Sequence, residues 1–154
     1  MKICDTYSHL YAADKLKAKE GILQELENIL TDRQIIFGQN RPQEIKSKVN
    51  IKFNNKGWAD NIRVGKSRLT ISFLKSKVGV CFQLGNVART YADILKLSQL
   101  GKKNIIDVGV IIVPHKIESK KLGANYAQYD RLANEVKHFE DIINTPILII
   151  GLSN

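Results

Sequence analysis

Apolar residues recur at helical spacing near the start of the chain. Leu16, Ile22, Leu23, Leu26, Ile29 and Leu30 share one face of a helix expected from Leu16 to Leu30, with Asp14 as its candidate N-cap. Gly21 weakens that helix without ending it. Pro42 suits the first turn of a second helix carrying Ile45, Val49 and Phe53 on one side. Val49, Ile51 and Phe53 also alternate, so a strand stays open there, and Asn54 to Gly57 reads as a turn. Beyond Trp58 the period shortens. Leu69, Ile71 and Phe73 alternate with Thr70 and Ser72; Val78, Val80, Phe82 and Leu84 alternate with Gly79, Cys81 and Gln83. These are two half-buried strands, expected to pair antiparallel about a turn at Lys75 to Lys77.

Helical spacing then returns, with Val87, Tyr91, Ile94, Leu95 and Ser98 on one face and Gly101 as the stop. Ile105 to Val113 is almost wholly apolar and β-branched, the pattern of a central strand buried on both faces, and Pro114 ends it. A further helix puts Tyr126, Tyr129, Leu132, Val136 and Phe139 on one stripe, and a last buried strand runs from Pro146 to about Leu152. Strand, helix, strand, helix, strand in that order predicts an α/β fold, a mixed β-sheet flanked by helices. No repeat or linker divides the chain, so residues 1–154 are expected to form a single domain.

Charge adds a partner class. Lysine and arginine outnumber aspartate and glutamate 24 to 15, for a net +9. That excess suits a polyanion, because each phosphate neutralised releases condensed counterions. The lysines are spread along the chain, which indicates a charged surface on a folded body. Two cysteines, Cys4 and Cys81, make neither a disulfide scaffold nor a four-ligand zinc site. The first fifteen residues have no apolar core and no stretch is long enough to span a bilayer, so a cytoplasmic location without membrane association is expected. Phosphate-binding and dinucleotide-binding glycine loops are absent.

Strand period places Cys81 and Gln83 on one side of their strand, and Thr70 and Ser72 on one side of the neighbour. Two readings of this polar face stand: ordinary solvent-facing strand residues, or an active-site face. Cys81 as a nucleophile lacks an adjoining partner, since His9, His115 and His138 are all distant in sequence, and it reads as a structural cysteine.

The stretch Val78 to Asn86 (VGVCFQLGN) resembles the catalytic strand of BglII- and BstYI-type restriction endonucleases. In the same order, Ile106 to Pro114 resembles their next core strand, Gly123 to Tyr129 the start of their following helix, and Pro146 to Gly151 their last core strand. Trp58 to Ile62 and the opening Met1-Lys-Ile are also similar. The resemblance implies a restriction-endonuclease-like PD-(D/E)XK core that acts as a homodimer and cleaves short duplex DNA sites with Mg²⁺. The family's aspartate falls on Ser72, its glutamate on Cys81, its glutamine on Gln83 and an asparagine on Asn61. Gln83 and Asn61 match; the two acids do not. Mg²⁺ prefers carboxylate oxygens, and a hydroxyl and a thiol bring no formal charge at neutral pH. No metal site and no cofactor are therefore expected, and the chain reads as a catalytically degenerate member, a pseudoenzyme that binds sequence-specific duplex DNA.

Asn86 falls where the family's first base-contacting loop begins, and the segment His115 to Ala124 resembles its second recognition loop. Asn86 and Asn125 are candidate base contacts. Lys116, Lys120 and Lys121, with Arg89 and Lys96 on the adjacent helix, are candidate phosphate contacts. Two alternatives stand beside this reading. One is an active Mg²⁺-dependent endonuclease whose acids are relocated, at Asp60 or Asp93, or supplied by a second subunit; the other is an interaction domain that has lost DNA binding. Asp60 reads first as a turn residue and Asp93 as a solvated helix position.

Overall fold

The apolar run after Gly101 forms a strand, β5 (Val108–Pro114), with every residue buried. A computed structural model describes residues 1–154. β4 (Val78–Phe82) and β6 (Ile147–Ser153) flank β5 in parallel. Three antiparallel strands complete a six-stranded mixed sheet: β1 (Lys2–His9) against β6, β3 (Thr70–Lys75) against β4, and β2 (Ala59–Arg63) against β3. The order across the sheet is β1-β6-β5-β4-β3-β2.

Strand period sorts the buried side chains into two cores. Val78, Val80, Phe82, Val108, Val110 and Ile112 face one core, beneath α1 (Ala12–Lys17), α2 (Ile22–Leu30) and α3 (Pro42–Asn55). Cys81, Ile111, Val113, Ile147 and Ile149 face the other, beneath α4 (Ala88–Lys102) and α6 (Tyr129–Lys137). β4 is thus buried on both faces, where alternation had suggested a half-exposed strand. Gly79 is a site of close side-chain approach: a Cβ there would lie 3.0 Å from Ile71 on β3 and 3.1 Å from Ile106 in the segment before β5.

The hairpin between β3 and β4 turns through Ser76 and Lys77, both at positive φ, as a turn matched to strand twist requires. The long helix expected over Leu16 to Leu30 is two helices. Gly21 adopts φ 73°, in the left-handed region, and separates α1 from α2; Asp14 lies within the first turn of α1. Residues 42–55 are helical, with Pro42 at the start and the Arg41 N–H donating to Glu44 Oε2 at 3.1 Å. The stretch read as a loop from His115 contains α5 (Lys116–Leu122), entered directly from Pro114.

Carboxylate–lysine contacts tie the helices to the sheet and to the N-terminal region. Both oxygens of Glu25 on α2 accept from Lys75 Nζ at 2.8 Å, and one accepts from Trp58 Nε1 at 3.0 Å. Asp32 pairs with Lys52 and accepts from the Gln34 N–H. The lysine hydrogen bonds are the main cause that holds both carboxyls below their ordinary range. A depressed folded-state pKa adds stability that is present above the ordinary carboxylate pKa and lost as pH falls through the folded value. Urea midpoints should therefore stay level from neutral pH to about pH 5 and drop below about pH 4. The Glu25→Gln variant should show a shallower drop over the same acid range.

Candidate active-site cleft

β4 and β5 run parallel, so their carboxyl ends open together on one edge of the sheet. Past Phe82 the chain stays against β5, with the Gln83 N–H donating to Ile112 O at 2.9 Å. The segments on either side of the edge are joined by backbone bonds. Val87 N–H donates to Asn125 O and Ala127 N–H to Gly85 O, both at 2.8 Å, and Asn86 bridges Tyr126. The two segments expected to read DNA, around Asn86 and Asn125, therefore form one continuous rim.

Ser72 stands opposite Cys81 where β3 leaves the ladder. The last regular pair is Phe73 with Val80, and beyond it Ser72 Oγ accepts the Phe82 N–H at 3.0 Å. The hydroxyl replaces a missing backbone partner. Cys81 is buried against α4, and burial, followed by the nearby Asp93 charge, raises its thiol well above the ordinary cysteine pKa. A neutral, buried thiol is a poor nucleophile. Gln83 is buried on the same side and donates from Nε2 to Asp93 Oδ2 at 2.9 Å. Asn61 falls between the pairs Asp60–Phe73 and Ile62–Ile71, which places it opposite Ser72. It has φ 51°, is exposed, and its Nδ2 donates to Asp60 Oδ2 at 3.3 Å.

Asp93 is the largest departure from the sequence reading. The buried face of α4 is Thr90, Asp93, Ile94, Leu97 and Leu100, one residue round from the stripe expected. Asp93 is 2% exposed. Its Oδ1 lies 2.6 Å from Lys96 Nζ, and that ammonium also donates to Thr70 O at 2.7 Å. Lys96, expected among the phosphate contacts, is thus turned inward by a buried carboxylate and a strand-end carbonyl. Asp60 is exposed on edge strand β2, as a surface acid.

These residues do not fit a Mg²⁺ ion. The one buried carboxylate already has a hydrogen-bonded ammonium on one oxygen and an amide on the other. Cys81 offers a soft, neutral sulfur and Ser72 an engaged hydroxyl. Nowhere in the chain do three histidine, cysteine or acidic side chains gather as metal ligands.

Outside this inner group lies a cleft of about 360 Å³, lined by Gln43, Lys46, Asn86, Arg89, Asn125 and Tyr126 among others. Asn86 is exposed; its Oδ1 accepts the Ala88 N–H at 2.8 Å in a turn just before α4, which leaves its amide nitrogen as a donor. Arg89 is exposed at the start of α4. Lys116 and Lys120, four apart on α5, are exposed on one face, while Lys121 pairs with Glu118 at 3.5 Å. Lys46 and Gln43, on α3, escaped the sequence reading. They follow no motif, and only the packing of α3 brings them to the cleft.

A mixed sheet with helices on both faces and a cleft at the carboxyl ends of its central parallel strands defines a restriction-endonuclease-like α/β fold. The chain belongs to the restriction endonuclease BglII/BglIII family, whose model matches residues 4–152. The crystal structure of restriction endonuclease BglII complexed with a DNA 16-mer is similar over 100% of this chain and 77% of that one, with TM-score 0.82 and 18% identity. Free BglII is similar over 100% of this chain and 80% of that one, with TM-score 0.78 and 20% identity. Identity at that level shows the fold. No curated protein sequence matches the chain.

Proposed function

We propose that this protein binds duplex DNA sequence-specifically and does not cleave it efficiently with Mg²⁺. One observation carries the reading. At the positions where the family's acids fall stand a serine whose hydroxyl holds the β4 backbone and a cysteine buried under α4. The DNA-facing features are kept: a continuous rim carrying Asn86 and Asn125, the α5 lysines, and a net charge of +9. The DNA partner also follows from likeness to a BglII structure complexed with DNA. A homodimer is what family membership implies. Leu95 and Ile142, both strongly exposed and flanking one groove beside α4, are a surface that a second copy would cover. No helix is long and apolar enough to cross a membrane; the cytoplasmic location proposed rests on the DNA-binding reading.

A second reading has one observation in its favour. Asp93 reaches the Gln83 side of the site from α4, so a relocated acid is present in space although not in sequence. An active endonuclease built on it needs Lys96 displaced and a second acid, from Asp60 or from another subunit. A domain that has lost DNA binding is the remaining alternative.

Selection from a randomised duplex pool, with and without Mg²⁺, separates the three. The proposed function gives an enriched site, equal enrichment in EDTA and uncut duplex. Metal-dependent nicking of the enriched site supports the second reading, and no enrichment at low salt the third. Binding should fall by roughly 10³-fold or more between 50 and 200 mM salt if six or more phosphates are contacted. Neutralising Lys120 should weaken all sequences alike and lower the salt slope by about one; Lys121, already paired with Glu118, should do less. Asn86→Ala should instead change sequence preference.

A further inference from the structure

Two cations in the cleft share no acid. Lys46 follows the core residue Ile45 on α3 and is half-buried where it lines the cleft, and Arg89 reaches the same cleft from α4. Burial, and next the charge of Arg89, hold the Lys46 pKa below the ordinary lysine value. The two groups are therefore close enough to repel each other. Neither takes part in any of the chain's ion pairs. The one carboxylate whose charge reaches Lys46, Asp93, is engaged by Lys96 and Gln83.

Gly85, which also lines the cleft, lets the backbone come close to Arg89 and Gln83. A Cβ there would meet Gln83 Oε1 at 2.8 Å and Arg89 Cδ at 3.5 Å. The rim adds neutral donors, the amide of Asn86 and the side chains of Gln43 and Asn125. Facing cations ringed by amide donors, in a cleft without a free acid, match a tetrahedral oxyanion. Hydrogen bonds from charged donors to phosphate are among the stronger ones proteins make.

The geometry points to Lys46 and Arg89 as a phosphodiester-binding pair that works without a divalent ion. This rests on the DNA-binding reading for the source of the phosphate. The logic is electrostatic. Where two protein carboxylates face a phosphate, a metal must stand between like charges. With Ser72 and Cys81 in those places and Asp93 neutralised by Lys96, the protein side of the cleft is cationic, so the phosphate oxygen can be met directly. Free inorganic phosphate offers the same chemistry as the DNA backbone, and the test separates the two.

Four variants are compared in EDTA: Lys46→Gln, Arg89→Gln, the double variant, and Lys103→Gln, an exposed lysine at the opposite end of α4. Duplex affinity is measured across a salt series. In parallel, inorganic phosphate is titrated at constant ionic strength while backbone amide shifts are followed. The wild type should bind duplex equally in EDTA and Mg²⁺. Each cleft substitution should weaken duplex binding about tenfold and lower the salt slope by about one, with Lys103→Gln near wild type. Phosphate should shift the amides of Lys46, Gly85, Asn86 and Arg89 in the wild type and Lys103→Gln, and not in the double variant. If the wild type fails to bind duplex yet keeps that phosphate response, the DNA reading falls and the phosphate site stands. A double variant that matches Lys103→Gln in both measurements overturns the inference, as does a phosphate response that requires Mg²⁺.

Discussion

Replacing Lys96 with methionine is expected to destabilise the protein by about 3 kcal/mol or more, the cost of leaving a buried carboxylate without its counter-ion. The Asp93 side chain is 3% exposed and that of Lys96 15%, so water can do little to replace the lost ammonium. The ammonium also leaves Thr70 O, at the entry to β3, without its donor. Adding Asp93→Asn should recover most of the loss, because the amide keeps an oxygen for Gln83 Nε2 and carries no charge. Urea unfolding of the two single variants and the double gives the coupling directly. A Lys96→Met variant within 0.5 kcal/mol of wild type, an order-of-magnitude threshold for an ordinary surface change, would mean that the pair is not buried in solution.

Placing acids at the two positions to which the family resemblance assigns them, Ser72 and Cys81, should make stability depend on metal. In Ser72→Asp with Cys81→Glu, two further carboxylates meet Asp93, and the glutamate enters a position that is 2% exposed. Without metal, the variant should lose about 3 kcal/mol or more through uncompensated burial and overpacking, and through the lost Ser72 contact to the Phe82 N–H. Mg²⁺ should restore part of that loss, by about 2.7 kcal/mol at one hundred times its dissociation constant. The wild type should show no such response. Thermal unfolding with Mg²⁺, and with a monovalent salt matched for ionic strength, checks it. An equal response in both proteins would show that the ion binds elsewhere. Cleavage is a stricter outcome than binding, since productive geometry must be held to about half an ångström.

The elements legible in the sequence are those whose own pattern decides their environment. β5 is a continuous apolar run and is buried throughout; α3 shows Ile45, Val49 and Phe53 at helical spacing, and those three are its buried residues. β1 was invisible because KICDTYSH mixes polar and apolar residues and has an exposed edge, and its partner lies at the far end of the chain. α5 was hidden by its polarity: seven residues with three lysines carry little apolar signal. The site divides the same way. That Cys81 and Gln83 share a face, with Val80 and Phe82 on the other, follows from strand period alone. That Asp93 joins them does not, because Tyr91 and Leu95 on α4 marked a stripe beside the true one. Thr90 and Leu97, three before and four after Asp93, are the residues that would have marked its face, and both are wholly buried. Lys46 carried no mark at all, since one half-buried lysine on an amphipathic helix looks like any other.

The sheet closes in an order that the ribosome does not supply. β1 is made first, yet every backbone partner it has in the sheet belongs to β6, whose residues run from Ile147 to Ser153. Until those residues emerge, β1 has no strand to pair with, and β5 presents an open edge made only of Val, Ile, Gly and Pro. Such non-local pairing slows folding and leaves strand edges exposed to other chains meanwhile. During synthesis the nascent chain should therefore be most prone to stick to its neighbours in the interval after β5 has left the tunnel and before β6 has.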